Sequence, residues 1–333
     1  MTSRTDASSD ASPPPKPGWR PEGDRILLIL VTILLAVAMT ILLKATVPID
    51  RPCYFEGIPN PLCPEDTAYP SQHTSAAFSL VFPLFGHPLF LLAYPFAIAV
   101  GYERIVVGVH TWPDIAGGIA TAGFAYAVAE WLLIPSPGRT GRVGKPEGGE
   151  LGRQFLHAGM GVLISIGILV MGIAMTTMYT LAGTVIGLFI VHLKAAGRTV
   201  PIIDQLLLRY ERDGVLPGKG SLYYAIGILF ALGLLRDDPP AAIAVILILA
   251  IGDGLATIVG SSVGRHRLPW NRSKSVEGSI GFAIGAASSL LVLPSLATIA
   301  ACIIAVVLES LKIELDDNIT LPVVTSLVLF FMH

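Results

Sequence analysis

The stretch PSPGRTGRVGKPEGGELGRQ, residues 135–154, interrupts an otherwise apolar chain. It is rich in Gly and Pro, carries Arg139, Arg142, Lys145 and Arg153, and has no apolar periodicity, which predicts a loop. Long apolar runs lie on either side of it. The chain therefore divides into a tail over 1–24, a membrane domain over 25–134, a linker over 135–154 and a second membrane domain over 155–333.

Composition supports that division. The 333 residues are 53% hydrophobic and 14% charged, with a mean hydropathy of +0.69. Soluble domains carry about a quarter charged residues, so the deficit predicts an all-α polytopic membrane protein. A net charge of −2 supplies no field for nucleic acid, and three cysteines are too few for a disulfide scaffold or a zinc cluster. Nothing in the sequence specifies an oligomeric state.

The Ser-, Pro- and Asp-rich tail reads as disordered. The first span, Ile26 to Leu43, is too long for a signal peptide and is followed by Lys44 instead of a small-residue cleavage site, so it reads as a retained helix. Ten more spans are expected near 71–86, 88–107, 112–134, 156–176, 178–193, 221–235, 241–260, 279–294, 296–311 and 319–332. That makes about four crossings in the first domain and seven in the second. The 71–86 span is short and carries Pro83, so it reads as tilted or incomplete.

With the N-terminus inside, 18 of the 22 basic residues fall on the inner side. Lys and Arg favour cytoplasmic loops, so this orientation is expected. Only Lys44, Arg51, Arg104 and Arg236 fall outside. Three of those four belong to one outer set: KATVPIDRP at 44–52, PSQH at 70–73 and RIVVGVHTWPD at 104–114.

That set suits phosphoester hydrolysis. Lys44, Arg51 and Arg104 can neutralise phosphate oxygens, two histidines allow one nucleophile and one general acid, and an aspartate can fix the nucleophile's tautomer. Ser71 stands where a helix N-terminus attracts anions. Taken singly, each cation reads as a snorkelling interfacial residue and each histidine as structural; six in order read otherwise.

The spacings Lys-x6-Arg-Pro, Pro-Ser-x-His and Arg-x5-His-x3-Asp resemble the three signature motifs of the type 2 phosphatidic acid phosphatase superfamily, which includes lipid pyrophosphate phosphatases. The resemblance covers about residues 26–134. It implies His110 as the nucleophile, Asp114 as its partner and His73 as acid to the leaving group, with Lys44, Arg51, Ser71 and Arg104 binding phosphate and no cofactor. Gln72 stands where that family usually has Gly, and Glu103 where it usually has Ser. The extra N-terminal helices of many members are missing. Cys53 and Cys63 flank a short outer loop, and in an oxidising compartment a disulfide between them would brace Arg51. Cys302, inside a span, reads as packing.

The second domain gathers its polar residues on the inner side: Arg153 and His157, a basic segment over 194–220, GDGLATIVGSSVGRH, NRSKSVEGS and ESLKIELDDNITLP. Acids for Mg²⁺, cations for phosphates and glycines for close approach make a nucleotide site. The basic segment reads equally well as a surface for anionic headgroups. Gly218-Lys219-Gly220-Ser221 lacks P-loop spacing. Asn271-Arg272-Ser273 and Asn318-Ile319-Thr320 match glycosylation sequons on the wrong side.

Arg153-x3-His157, Gly252-Asp253 with Ala256 and Gly260, Lys274-Ser275-x-Glu277-Gly278-Ser279, and Glu309 with Asp316-Asp317-Asn318 resemble CTP-dependent lipid kinases acting on dolichol, polyprenol, phytol or diacylglycerol. The resemblance covers about 150–332, with Gln154 where a Lys often follows the arginine. It implies transfer of the γ-phosphoryl of CTP to a lipid hydroxyl, with Mg²⁺. Asp253 would be a metal ligand or acid-base residue, and Asp316 and Asp317 metal ligands. Arg153, Lys219, Lys274, Ser275, Glu277, Gly278 and Asn318 would bind nucleotide.

The reading is a bifunctional integral membrane enzyme, dephosphorylating an isoprenoid lipid phosphate or diphosphate outside and rephosphorylating the alcohol inside. Alternatives are a diacylglycerol-type substrate, a cytidylyltransferase forming CDP-lipid, or a lipid transporter or scaffold with relic motifs.

Overall fold

The computed structural model describes residues 22–54, 63–134, 148–210 and 216–333. Most of the basic linker and most of the tail lie outside these. Thirteen helices are present among the described residues, and no strand; the sole bridge pairs Arg267 with Ser275.

The first domain contains α1 (Glu22–Thr46), α2 (Gln72–Val81), α3 (Phe90–Val106) and α4 (Trp112–Leu133). The second contains α5 (Gly148–Met171), α6 (Ile173–Ala195), α7 (Pro201–Tyr210), α8 (Lys219–Leu234), α9 (Pro239–Leu247), α10 (Asp253–Val263), α11 (Val276–Ala286), α12 (Leu296–Ser310) and α13 (Asp317–Met332). A π-helical turn, Ile248–Gly252, joins α9 to α10 without a break. Five helical stretches are long and apolar enough to cross a membrane: α1, α4, α5, α6 and the continuous α9–α10.

Local chemistry sets the ends. Ser71, Asp238, Ser275, Ser295 and Asp316 cap α2, α9, α11, α12 and α13 with side-chain oxygens. Pro83 turns the end of α2 into a 3₁₀ turn, Phe82–Leu84, so the short expected span is a ten-residue helix. The break expected after 176 falls instead at Gly172, whose φ of +79° a residue with a Cβ rarely adopts. Helix α5 begins at Gly148 and not near 156, so Arg153 lies inside a helix and not in a linker. A further helix, α7, was not expected.

Helix α8 is the centre of the molecule. It is apolar on every side, the mark of a helix buried all round. Leu222, Ile226, Leu229 and Phe230 pack into a core with Phe78, Phe82, Phe90 and Tyr126 of the first domain. Ile228, Leu232 and Leu235 pack into a second core with Ile243, Ile246, Leu249 and Phe282. The helix thus divides its surface between the two domains. By contrast, Leu30, Leu34, Ile41 and Leu42 of α1 and Leu163, Leu169 and Val170 of α5 are exposed, as expected of faces turned to lipid.

Helices α4 and α8 run antiparallel and touch closely. A Cβ at Gly117 would lie 2.2 Å from the ring of the fully buried Tyr69, and one at Gly233 would lie 2.8 Å from Pro113 O. At one end of the pair Lys219 Nζ meets Glu130 Oε2 at 2.5 Å; at the other, Arg236 Nη2 meets Asp114 Oδ1 at 2.6 Å. The first end also holds the contact from Gly86 N to His192 Nδ1, 3.2 Å. The second holds His333 with Asp238, 2.8 Å.

Cys53 and Cys63 are disulfide-bonded with Cα atoms 6.0 Å apart, while Cys302 is free. Titration of the unfolded, unreduced protein is therefore expected to give one thiol per chain, rising to three on reduction; three before reduction would refute the bridge. Replacing Gly117 with Leu drives a side chain into the Tyr69 ring, and overpacking of this kind costs about 1–3 kcal/mol. The expected result is a clear fall in thermal unfolding temperature in detergent, where Gly159→Leu, with open space around it, serves as the unaffected control.

Candidate functional sites

One cluster forms where the C-terminal ends of α1 and α3 meet the N-terminal ends of α2 and α4. Here Asp66, on the loop after the disulfide, takes Lys44 Nζ at 2.9 Å on one oxygen and Arg51 Nη2 at 2.5 Å on the other. Burial alone would raise the Asp66 carboxyl, but hydrogen bonds from Lys44 and Arg51 outweigh it and hold it below the usual carboxylate range. Lys44 also donates to Thr67 O, so both cations are fixed side by side.

Arg51 is buried and spends its donors carefully. Its Nε reaches Asp66 O at 2.9 Å, and Nη1 reaches Val109 O at 3.1 Å and His110 Nε2 at 3.1 Å. A guanidinium cannot accept, so Nε2 must hold the lone pair and Nδ1 the proton. That proton faces Asp114 Oδ2, 3.6 Å from Nδ1, just outside hydrogen-bond reach. Burial pushes the His110 imidazole below its ordinary pKa; Asp114 pulls upward, while Arg51 and Lys44 push down with the burial. The outcome is a neutral imidazole with its Nε2 lone pair among cations, the form a nucleophile needs.

Asp114 is completely buried. Its Oδ2 accepts from Thr111 N at 2.7 Å and Thr111 Oγ1 at 2.9 Å, and its Oδ1 from Arg236. Ser71 caps α2, its Oγ accepting from Thr74 N at 3.4 Å, and its N donates to Asp114 O at 3.0 Å. His73, two residues along and exposed, feels the charges of Arg104, Glu103, Arg51 and Lys44. Arg104 is ion-paired with its neighbour Glu103, as the departure at that position foreshadows. The structure thus brings together Lys44, Arg51, Ser71, His73, Arg104, His110 and Asp114. The sequence reading passed over Asp66, Thr111 and Arg236; the one clue was Arg236 standing alone as an outer basic residue.

A second cluster forms near the start of α11 and α13 and the end of α12, toward the Lys219 end of α8. Lys274 Nζ bonds Glu309 Oε1 at 2.7 Å and Asp317 Oδ2 at 3.1 Å. Burial would lower this ammonium, but Asp317 and Glu309 outweigh it and hold it above the usual lysine range. Glu309 is 2% exposed and also accepts from Ser279 Oγ at 3.2 Å. Asp253, directly after the π-helical turn, feels the charges of Asp317, Lys274, Arg153 and Asp316. Such turns concentrate at functional positions. The His157 ring lies against that of Tyr224, tilted by 60° with centres 4.1 Å apart, and its Nε2 is buried without a hydrogen-bond partner, as is Asn318 Oδ1.

Other expected residues have structural duties. Ser275 Oγ caps α11 through Gly278 N at 3.1 Å, and Gly278 lets α11 lie on α10, where a Cβ would meet Ala256 O at 3.2 Å. Glu277 accepts from His266 N and pairs with its ring at 2.6 Å. The Lys219 ammonium is held by Glu130. Asn271 is buried and donates to Ser310 O and Leu311 O, at 3.2 and 3.0 Å, which removes it as a glycosylation site. Among the described residues no three His, Cys, Asp or Glu side chains converge as a ready-made metal site; Lys274 lies among the carboxylates instead. Beside this cluster an apolar groove of about 280 Å³ runs between α11 and α12, with Trp270, Val276, Ile280, Val306 and Val307 along it and Ser279 in its wall.

Residues 25–138 match the PAP2 superfamily. The uncharacterized protein MJ1137 of Methanocaldococcus jannaschii is 35% identical over 184 residues, 54% of this chain and 92% of that protein. The probable phytol kinase 2 of Oryza sativa subsp. japonica is 38% identical over 127 residues, 33% of this chain and 42% of that one. The farnesol kinase of Arabidopsis thaliana is 35% identical over 131 residues, 34% of this chain and 43% of that one. The chain spans about two fifths of the length of these chloroplast kinases. No solved structure matches it. The chain belongs to the family of protein MJ1137, has a PAP2 superfamily domain at residues 25–138, and over its C-terminal part is homologous to plant phytol and farnesol kinases.

Proposed function

We propose that this protein is a bifunctional enzyme of isoprenoid lipid carriers, removing phosphate at the His110 cluster and restoring it from CTP at the Lys274 cluster. The observation that carries the reading is that the chain holds two separate charged clusters at helix ends, Lys44 and Arg51 beside His110 in one and Lys274 with Glu309 and Asp317 in the other. The match to PAP2 and the likeness to kinases of phytol and farnesol support the two chemistries.

At the first centre the phosphate of a lipid phosphate or diphosphate takes the place of the Asp66 carboxylate between Lys44 and Arg51. Arg51 turns from His110 Nε2 to a phosphate oxygen, freeing the lone pair. Nε2 attacks phosphorus in line; the N–P bond forms as the P–O bond to the leaving group breaks, and His73 donates the proton that group needs. Asp114 balances the positive charge that develops on the imidazole. Water then cleaves the N–P bond, releasing inorganic phosphate and returning His110.

At the second centre Lys274 leaves its carboxylates for the phosphates of CTP, and Asp253 takes the proton of the lipid hydroxyl as it attacks the γ-phosphorus. CDP leaves. Mg²⁺ commonly binds through one or two carboxylates plus phosphate oxygens, so Asp317 and Asp316 fit it once the nucleotide contributes its own oxygens. When bound it would neutralise the charge on the transferring phosphoryl group. The apolar groove against Ser279 suits the first isoprene units of the alcohol. With the N-terminus cytoplasmic, hydrolysis faces outward and phosphorylation inward. A neutral alcohol crosses hydrocarbon far more readily than its phosphate, so the two centres can recycle a carrier across the bilayer.

His110→Ala is expected to lower phosphate release from a polyprenyl diphosphate by at least about 10³-fold while leaving CTP-dependent phosphorylation intact. Retained hydrolysis would refute the nucleophile. Burial holds the pKa of His110 below the ordinary histidine value of about 6.5. The acid limb of kcat/KM, corrected for substrate ionisation, should therefore lie below that value; a limb above it would contradict the assignment. Incubation with labelled CTP and a panel of isoprenoid alcohols should yield the lipid monophosphate and CDP. Asp253→Asn should abolish that product; pyrophosphate release would instead indicate a CDP-lipid, and no product at all would sink the kinase assignment.

A further inference from the structure

We propose that Arg236, which belongs to the second domain, is a positioning residue of the phosphatase centre, so that the hydrolytic site is complete only with α8 docked on α4. The inference rests on the phosphatase reading and concerns what stands behind the nucleophile.

The two oxygens of Asp114 have separate duties. Oδ2 faces His110 Nδ1 and is fixed by the backbone and hydroxyl of Thr111. Oδ1 faces the other way and receives Arg236 Nη2 at 2.6 Å. The guanidinium is itself locked: Nη1 donates to Thr111 Oγ1 at 3.0 Å, Nε to Gly233 O at 3.1 Å, and the plane lies over the Tyr69 ring, 5.3 Å from its centre. Arg236 therefore holds both the carboxylate and the hydroxyl that orients it. Rotation of the Asp114 carboxylate, which would carry Oδ2 away from His110, breaks the bond at Oδ1.

Charge makes the same point. Asp114 is fully buried, and an unpaired buried carboxylate is strongly disfavoured. The groups around it are His110, Arg236, Thr111 and Tyr69, with Arg51 on the far side of the imidazole. Before catalysis His110 is neutral, so Arg236 is the only full positive charge in direct contact with Asp114 among the described residues. Without it the buried carboxylate would keep only Thr111 and the facing His110 ring, and nothing among the described residues would hold Oδ1.

A simple staple between domains would look similar, and the Glu130–Lys219 pair at the other end of the same helices supplies the control. The full-length protein is purified as wild type, Arg236→Met, Arg236→Lys and Glu130→Gln, and assayed for phosphate release from a polyprenyl diphosphate, with unfolding temperature in parallel. Loss of a hydrogen bond to a charged group predicts a fall in kcat of about 10- to 100-fold for Arg236→Met, with KM changed by less than about threefold. Arg236→Lys, which can reach Oδ1 but cannot fork to Thr111 as well, should recover part of kcat. Glu130→Gln should keep wild-type kcat. The proposal is overturned if Arg236→Met matches wild type, if Glu130→Gln loses as much, or if the loss tracks a fall in unfolding temperature and is not eased by lysine. A wild-type protein that releases no phosphate would overturn the phosphatase reading itself, a separate result from unequal or equal variants of an active enzyme.

Discussion

The structure depends on a carboxylate that has been taken out of water. Asp114 lies near the start of α4 with no solvent access, and a charge in that position persists only if partners surround it. Thr111 from the preceding turn and Arg236 from the end of α8 supply them. This requirement fixes the register of α4 against α8. The fixed register in turn lets Gly117 and Gly233 accept Tyr69 between the helices, and it brings α8 into both apolar cores.

The cation clusters follow a related rule. Lys44 and Arg51 would repel each other if left alone, and Lys274 would be costly to bury. Each is matched by acids already in the protein: Asp66 for the first two, Glu309 and Asp317 for the third. In both places the cations are held by carboxylates of the protein itself, two cations on one acid in the first and one cation on two acids in the second.

Much of this was legible in the chain because motif residues lie at helix ends, where spacing in sequence translates directly into position. Lys44, Ser71, Arg104, His110 and Asp114 are of that kind, and so are Lys274, Glu309 and Asp317. Partners drawn from far away were not legible. Asp66 lies on a loop without periodicity, and Arg236 reaches Asp114 across the two domains; no local pattern encodes either contact. The π-helical turn before Asp253 left no trace in a uniformly apolar run, and the break at Gly172 lies among residues equally suited to continuing the helix. Ser275, Glu277 and Gly278 formed a recognisable string, yet each has a local capping or packing duty, which composition alone does not separate from ligand binding.

The clamp on α8 also constrains how the chain is made. Asp114 and Arg236 are 122 residues apart, and Glu130 and Lys219 are 89 apart. Synthesis proceeds from the N-terminus, so α4 emerges with acids at both ends long before α8 exists to meet them. Until α8 follows, the face of α4 at Gly117 that packs on Gly233, and the acids at its two ends, have nothing to meet.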